Sequence, residues 1–295
     1  MCGIVGYVGP RIATPMLIDG LKRLEYRGYD SAGIALLGDD GVLTTRRAKG
    51  KIAALETVLA AQPVAGTVGI AHTRWATHGV PSEKNAHQQH DCTGTIAVVH
   101  NGIIENFTPL RQMLLASGHK FKSDTDTEVL AHLIEAAFDG NLEEAVQDAL
   151  HLVEGTYGIA VISSRDPDKV VAARKGSPLL VGLGEGEYYV ASDVAAILQH
   201  TRQVVYLDDG EMAVLTRDGY RVRDVAANDV RKGVSRIDWD LDQIEKGGFE
   251  HFMLKEIVEQ PQTIRNTMRG RLVTEEGYSK LGGLNLTRDL SNRSR

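Results

Sequence analysis

Any chemistry this chain performs turns first on Cys2. Removal of Met1 makes Cys2 the N-terminal residue, with a thiol and a free α-amine on adjacent carbons. A thiol needs a base nearby to act as a nucleophile at neutral pH, and most cysteine enzymes borrow a histidine. An N-terminal cysteine carries its own base. The ordinary pKa of the α-amine is about 8 and that of the thiol about 8.5, so a proton can pass between them near pH 7. A cysteine at position 2 is incidental in most chains, so the weight falls on the residues around it. His72, His78, His87, His90 and Cys92 could be read as a metal set. Their spacing fits no standard zinc template, so no metal and no cofactor is expected, and Cys92 is expected to have no catalytic part. Gly182-Leu183-Gly184-Glu185-Gly186 has the wrong spacing for a dinucleotide fingerprint, and no helix follows it. A hairpin turn is the better reading.

Around Cys2, Gly3 to Val8 reads as a short buried strand stopped by Gly9-Pro10. Thr14 is placed as an N-cap with Pro15 at the first helical position, and Leu17, Leu21 and Leu24 recur on one face. Tyr26 to Gly33 reads as a polar loop, and Ile34–Leu37 and Val42–Thr45 as two strands about a turn. A helix over Ile52–Ala61 and a strand over Thr67–Ala71 lead into His72-Thr73-Arg74-Trp75. Val80 to Thr93 is polar and reads as a surface loop. Ile96–Val99 is a buried strand ending in His100-Asn101-Gly102, and a helix runs on to about Ala116. Thr125 with Glu128, and Asn141 with Glu144, have capping-box spacing ahead of two further helices. From Gly158 the period changes to that of successive strands, with one short helix at Ala195–Gln199. Strands and helices first, then a long meander, fit an α+β fold with mainly antiparallel sheets and helices outside.

Composition removes several function classes. A net charge of −6 leaves no basic footprint for nucleic acid, and 5% aromatic residues leave few stacking platforms. No apolar run is long enough to span a membrane. The N-terminus has no charged region followed by an apolar run, so no signal peptide is read there. Two cysteines make no disulfide framework and fit a reducing cytoplasm.

Five segments then stand in order: Cys2-Gly3-Ile4-Val5-Gly6, Leu24 to Gly33, His72 to Gly79, His100 to Asn106 and Ser123 to Glu128. Together they resemble the glutaminase domain of the glutamine–fructose-6-phosphate aminotransferase (isomerising) family, also called glucosamine-6-phosphate synthase. This is a branch of the class II glutamine amidotransferases. The resemblance covers at least residues 2–225, and Phe249–Arg271 looks like the start of the family's second half. It implies the N-terminal-nucleophile (Ntn) hydrolase fold, a four-layer αββα sandwich of mainly antiparallel sheets. It also implies that L-glutamine is hydrolysed to glutamate and ammonia through a thioester on Cys2. Asn101 and Gly102 would supply the oxyanion donors. Arg74 would take the glutamine carboxylate, since a guanidinium fork matches two oxygens, and Asp126 the ammonium. Thr77 and His78 would make secondary contacts on the same loop, and Trp75 would shield the site.

The expected organisation is a glutaminase domain over 2–235, then a linker and truncated start of the sugar-isomerase-type half over 236–295. Phe249–Gln260 reads as a helix stopped by Pro261, and the chain from 282 as tail. In a complete family member the ammonia goes to fructose 6-phosphate. Here the sugar-binding half is expected from a longer chain or a separate one, with a homodimer when full length. Two alternatives stand beside this: a different ammonia acceptor, or a glutamine-binding module without turnover if Met1 stays attached.

Overall fold

The computed structural model of the chain describes residues 2–38, 40–75, 79–80, 82–86, 88–238, 248–268, 272–273 and 278–279. Thr77, His78, His87 and the tail from 282 lie outside these. The chain divides into two compact units, Met1–Leu241 and Asp242–Arg295.

In the first unit, β1 (Gly3–Val8) lies near the middle of an eight-stranded sheet. On one side it pairs with β4 (Val68–Arg74), which pairs with β2 (Ser31–Leu37) and through it with β3 (Leu43–Lys49). On the other side are β10 (Tyr188–Ala191), β9 (Leu180–Leu183), β11 (Gln203–Tyr206) and β14 (Ser235–Arg236). The second sheet has six strands. Its centre is β6 (Ile96–Ile104), β7 (Gly155–Ser163), β8 (Lys169–Lys175) and β12 (Glu211–Thr216), edged by β5 (Gln89–His90) and β13 (Tyr220–Asp224). The named pairings are antiparallel throughout.

The two-residue period of β6 explains the layering. Ala97 and Val99 face the other sheet and join Ile4, Val8, Ile70, Ala160 and Val190 in an inter-sheet core. Ile96 and Val98 face the opposite way, against α3 (Phe107–Ala116), α4 (Thr127–Ala137) and α5 (Leu142–His151), with Leu130, Ile134 and Val146 in that cluster. On the far side, α1 (Ala13–Leu24) packs on β1 and β4, with Leu17, Leu21 and Leu24 fully buried, and α2 (Ile52–Ala61) packs on β3. The result is four layers, αββα. Each fully buried leucine contributes about 1.5–3 kcal/mol to holding the helix on its sheet.

Several local expectations change. Thr14 does not cap α1: its hydroxyl donates to the Val64 carbonyl, and the Ala13 N–H is held by the Gly66 carbonyl at 2.8 Å. Pro15 still lies in the first turn, where its missing N–H costs nothing. Ser31 to Gly33 belong to β2, and β6 runs two residues past its expected end at Gly102, to Ile104. The described part of the expected surface loop is not all at the surface, because Asn85, Gln88, Gln89 and Asp91 are buried. Burial is tolerated because each is bonded; the Gln88 amide, for one, donates to the Gly33 carbonyl at 2.7 Å. Ahead of α4 the expected capping box is not formed: the N-cap residue is Asp126, which makes no side-chain cap bond, and the Glu128 carboxylate instead accepts the N–H and hydroxyl of Ser123. Asn141 does cap α5, accepting from the Glu143 N–H. In the second unit a helix over Phe252–Met268 continues through Pro261. The proline removes a single donor, toward the carbonyl of Ile257, in a stretch whose side chains are exposed.

Candidate active site

Cys2 sits immediately before β1, and the pairing of β1 with β4 places it beside the end of β4. Gly3 pairs with Thr73, so Cys2 reaches the level of Arg74 and Trp75. The Trp75 backbone N–H donates to Cys2 Sγ at 3.2 Å. The sulfur lies in a cleft of about 340 Å³ lined by Arg27, Arg74, Asn101, Gly102, Thr156 and Ser192 among others. Burial pushes the Cys2 thiol up from its ordinary value, against the pull of the Trp75 N–H and the Arg74 guanidinium. The resting group is therefore the thiol, and attack needs a base.

Asn101 is set by two contacts. Its Nδ2 donates to the Cys2 carbonyl at 3.1 Å, and its Oδ1 lies 2.9 Å from His72 Nε2. With Oδ1 accepting, the ring carries its proton on Nε2, and the amide cannot flip without losing both bonds. A primary amide has two N–H groups, so one ties down Cys2 and the other is available toward the cleft. Gly102 has φ +137, and a Cβ there would lie 2.1 Å from the Thr156 carbonyl oxygen. Only glycine fits this position in β6. Gly28 is constrained in the same way: a Cβ would meet Thr73 and the Arg74 backbone within 3.0 Å. The Thr73 hydroxyl donates to the Gly28 carbonyl at 2.5 Å, closing the loop over β4.

Arg74 is 2% exposed and donates to the Gly79 carbonyl at 3.1 Å. Burial lowers its guanidinium, while Asp30, Cys2 and Asp126 nearby oppose that shift. Asp126 stands at the N-terminus of α4, also 2% exposed, and accepts the Ile104 N–H at 2.9 Å. It is not among the residues lining the cleft. Trp75 meets Cys2 through its backbone. Its ring is 50% exposed and stands edge-on to Tyr29 with centroids 5.4 Å apart. Thr77 and His78 lie outside the described residues.

Sequence reasoning missed several contributors. His72 was weighed only as a metal ligand, yet it orients Asn101. The Ser192 hydroxyl accepts the Ile4 N–H at 3.0 Å beside the cleft, and Arg27 lines the cleft while paired to Asp193. The alternation of β4 carried the His72 signal, since His72 and Arg74 share one face of the strand.

His72 also fixes a pH dependence. Its burial pushes the imidazole pKa down to about 3, outweighing the Asn101 bond that favours charge. The unfolded chain takes a proton on this ring near pH 6.5, and the native chain does not until about 3. Between those values the unfolded state binds more protons, so this ring lowers stability as pH falls from 6.5 and has no effect above it. By pH 4.5 the loss reaches roughly 2–3 kcal/mol. Urea unfolding at pH 7 and 4.5 should show a smaller pH effect in His72→Gln than in the parent chain. An equal effect in both would remove His72 from the acid response.

Residues 72–199 match the family model described as a glutamine amidotransferase domain. The chain is 56% identical over 291 residues to a glutamine–fructose-6-phosphate aminotransferase (isomerizing) of Chlorobaculum tepidum, covering 96% of this chain and 47% of that protein. It is 52% identical over 282 residues to the enzyme of that name from Thermus thermophilus, covering 96% and 46%. It thus spans about half the length of the curated relatives it matches. Among solved structures, glutamine phosphoribosylpyrophosphate amidotransferase from B. subtilis superimposes with TM-score 0.66 at 28% identity, over 78% of this chain and 50% of that one. The layers described above are those of the Ntn-type amidotransferase fold.

Proposed function

Because this chain carries a glutamine amidotransferase domain, we propose that it hydrolyses L-glutamine to glutamate and ammonia with Cys2 as nucleophile. The observation that carries the reading is the placement of Cys2 Sγ in a cleft shared with Asn101, Gly102 and Arg74. Sγ attacks the side-chain amide carbon as its proton passes to the α-amine freed by removal of Met1. The carbonyl oxygen becomes an oxyanion, held by the free N–H of Asn101 and the backbone N–H of Gly102. Collapse breaks the C–N bond, and ammonia leaves with the proton from the α-amine. Water then attacks the thioester, the α-amine again taking and returning a proton, and glutamate departs with the thiol restored.

Arg74 holds the substrate carboxylate, and the second oxygen of Asp126 takes its ammonium. Trp75 closes over the site, and Thr77 and His78 add contacts from the same loop. In the complete enzyme the ammonia passes to fructose 6-phosphate bound by a sugar-isomerase half, as the names of the relatives suggest. The assembly is a cytoplasmic homodimer that uses neither nucleic acid nor membrane. Among the described residues no helix is long and apolar enough to cross a membrane.

Arg74→Lys tests the substrate assignment. A lysine offers one point contact where the guanidinium fork offers two. Loss of one charge-assisted hydrogen bond costs about 1.5–3 kcal/mol, so KM for glutamine should rise roughly 10- to 100-fold. The turnover number should change much less. An unchanged KM would remove Arg74 from substrate binding.

A further inference from the structure

A second cluster of chemistry-bearing side chains lies away from the cleft, where the loop after β5, the end of α3 and the face of α4 converge. Cys92 Sγ is 3.6 Å from His119 Nδ1 and 3.6 Å from His132 Nδ1. Glu135 Oε2 is 2.9 Å from His119 Nδ1 and 3.1 Å from His132 Nδ1. The four donor atoms lie within 4.8 Å of one another. This is not the histidine set that sequence spacing brought to mind. His72 and His90 are engaged elsewhere, with Asn101 and with Thr45, and the tertiary fold gives Cys92 two other histidines. We propose that Cys92, His119, His132 and Glu135 form a tetrahedral site for a divalent metal ion of borderline softness, zinc being the best fit.

The distances carry the assignment. Zinc bonds of about 2.3 Å to sulfur and about 2.0 Å to nitrogen, at a tetrahedral angle, put sulfur and nitrogen about 3.5 Å apart. Both sulfur–nitrogen distances here match that edge. The nitrogen–oxygen edges are shorter than the roughly 3.3 Å expected, so the Glu135 oxygen needs to move by only a few tenths of an ångström. One thiolate and one carboxylate balance the charge of a divalent ion, and two neutral imidazoles complete the set. A sulfur, two nitrogens and an oxygen favour zinc over calcium or magnesium, which prefer oxygen alone.

The surroundings are those of a built site. His132 is fully buried and its ring is wedged against Phe121, with centroids 4.5 Å apart. Its other nitrogen, Nε2, faces Glu128 Oε1 at 3.6 Å, the outer carboxylate that orients a metal-bound histidine. Glu128 is itself fixed by the Lys122 and Ser123 N–H groups. The Lys120 N–H points at Cys92 Sγ at 3.4 Å, as a donor to a thiolate would. His132 and Glu135 share one face of α4 at i and i+3. Asp91 holds the Cys92 turn by accepting the Ile96 N–H at 2.8 Å. With protons alone, one Glu135 oxygen would have to take both histidine N–H groups as well as the Cys92 N–H. A metal ion removes that crowding by replacing two of those protons.

The test uses the full chain carrying Cys2→Ser, in which Cys92 is the only thiol. The reduced, chelator-treated protein is titrated with cobalt(II) and then with zinc. The expected result is one equivalent of cobalt bound, with intense tetrahedral visible bands and a sulfur-to-cobalt charge-transfer band, all displaced by zinc. Zinc should also raise the melting temperature, since it binds the folded state. Adding Cys92→Ser should abolish the charge-transfer band, and His119→Ala, at a partly exposed position, should weaken cobalt binding at least tenfold with native circular dichroism. The proposal is overturned if the natively folded Cys2→Ser chain gives no charge-transfer band, or if cobalt binds the Cys92→Ser and His119→Ala chains as tightly as their parent.

Discussion

Replacement of Cys2 by alanine is expected to abolish glutamate release from glutamine, with a loss on the order of 10⁶-fold, the scale seen when a covalent nucleophile is removed. Asn101, Gly102 and Arg74 remain in place, so glutamine should still bind. No other group can take over the attack. Cys92 is the only other cysteine, and it faces His119 and His132 in the separate cluster behind β6. The fold should tolerate the change. The side chain contributes its sulfur contacts to the Trp75 backbone, while the Cys2 carbonyl bond to Asn101 survives the substitution. A cost near 1 kcal/mol corresponds to a melting shift of about 2–4 °C for a domain of this size.

The same experiment should be read with the N-terminal mass. With Met1 attached, the Cys2 nitrogen is an amide and cannot accept the thiol proton. The thiol is held up by burial, so activity should track the fraction of chain that has lost one methionine. Full turnover by chains that retain Met1, or equal glutamate release from parent and Cys2→Ala, would sink the N-terminal mechanism.

Asn101→Ala is expected to lower kcat by roughly 10²–10³-fold while leaving KM for glutamine within a few fold. The amide donor is worth most when charge appears on the substrate oxygen, so its loss falls on the transition state rather than on binding. His72 sharpens the test. It holds Asn101 Oδ1 at 2.9 Å, and without that bond the amide can turn its oxygen toward the developing oxyanion. His72→Ala should therefore lower kcat in the same direction but by less, and should add little to Asn101→Ala. Two acting through one group are not additive. If the double variant loses the full product of the single effects, His72 acts on turnover by a route other than Asn101. If Asn101→Ala raises KM and spares kcat, Asn101 is no oxyanion donor.

What could be read from the chain alone follows the range of each interaction. The buried faces of α1 and the core strands were legible because their signals are periodic and local: Leu17, Leu21 and Leu24 repeat at helical spacing, and α2 was placed to the residue. Cys2, Arg74 and Asn101-Gly102 were legible because their order and local patterns survive in one dimension. The pairing of β1 with β4, which brings Cys2 to Arg74 across some 70 positions, left no mark in either segment. The burial of Asn85 and Gln88 was hidden because their side chains are satisfied by distant partners, Asp124 and Gly33. His72 was misjudged because the Asn101 amide that defines its work lies on another sheet. Cys92, His119 and His132 carry no recognisable spacing, because three separate elements supply them. Sequence determined which residues could do chemistry and which faces must be buried. Tertiary structure decided which of those residues meet, because hydrogen bonds and metal geometry act over a few ångströms of space and take no account of separation along the chain.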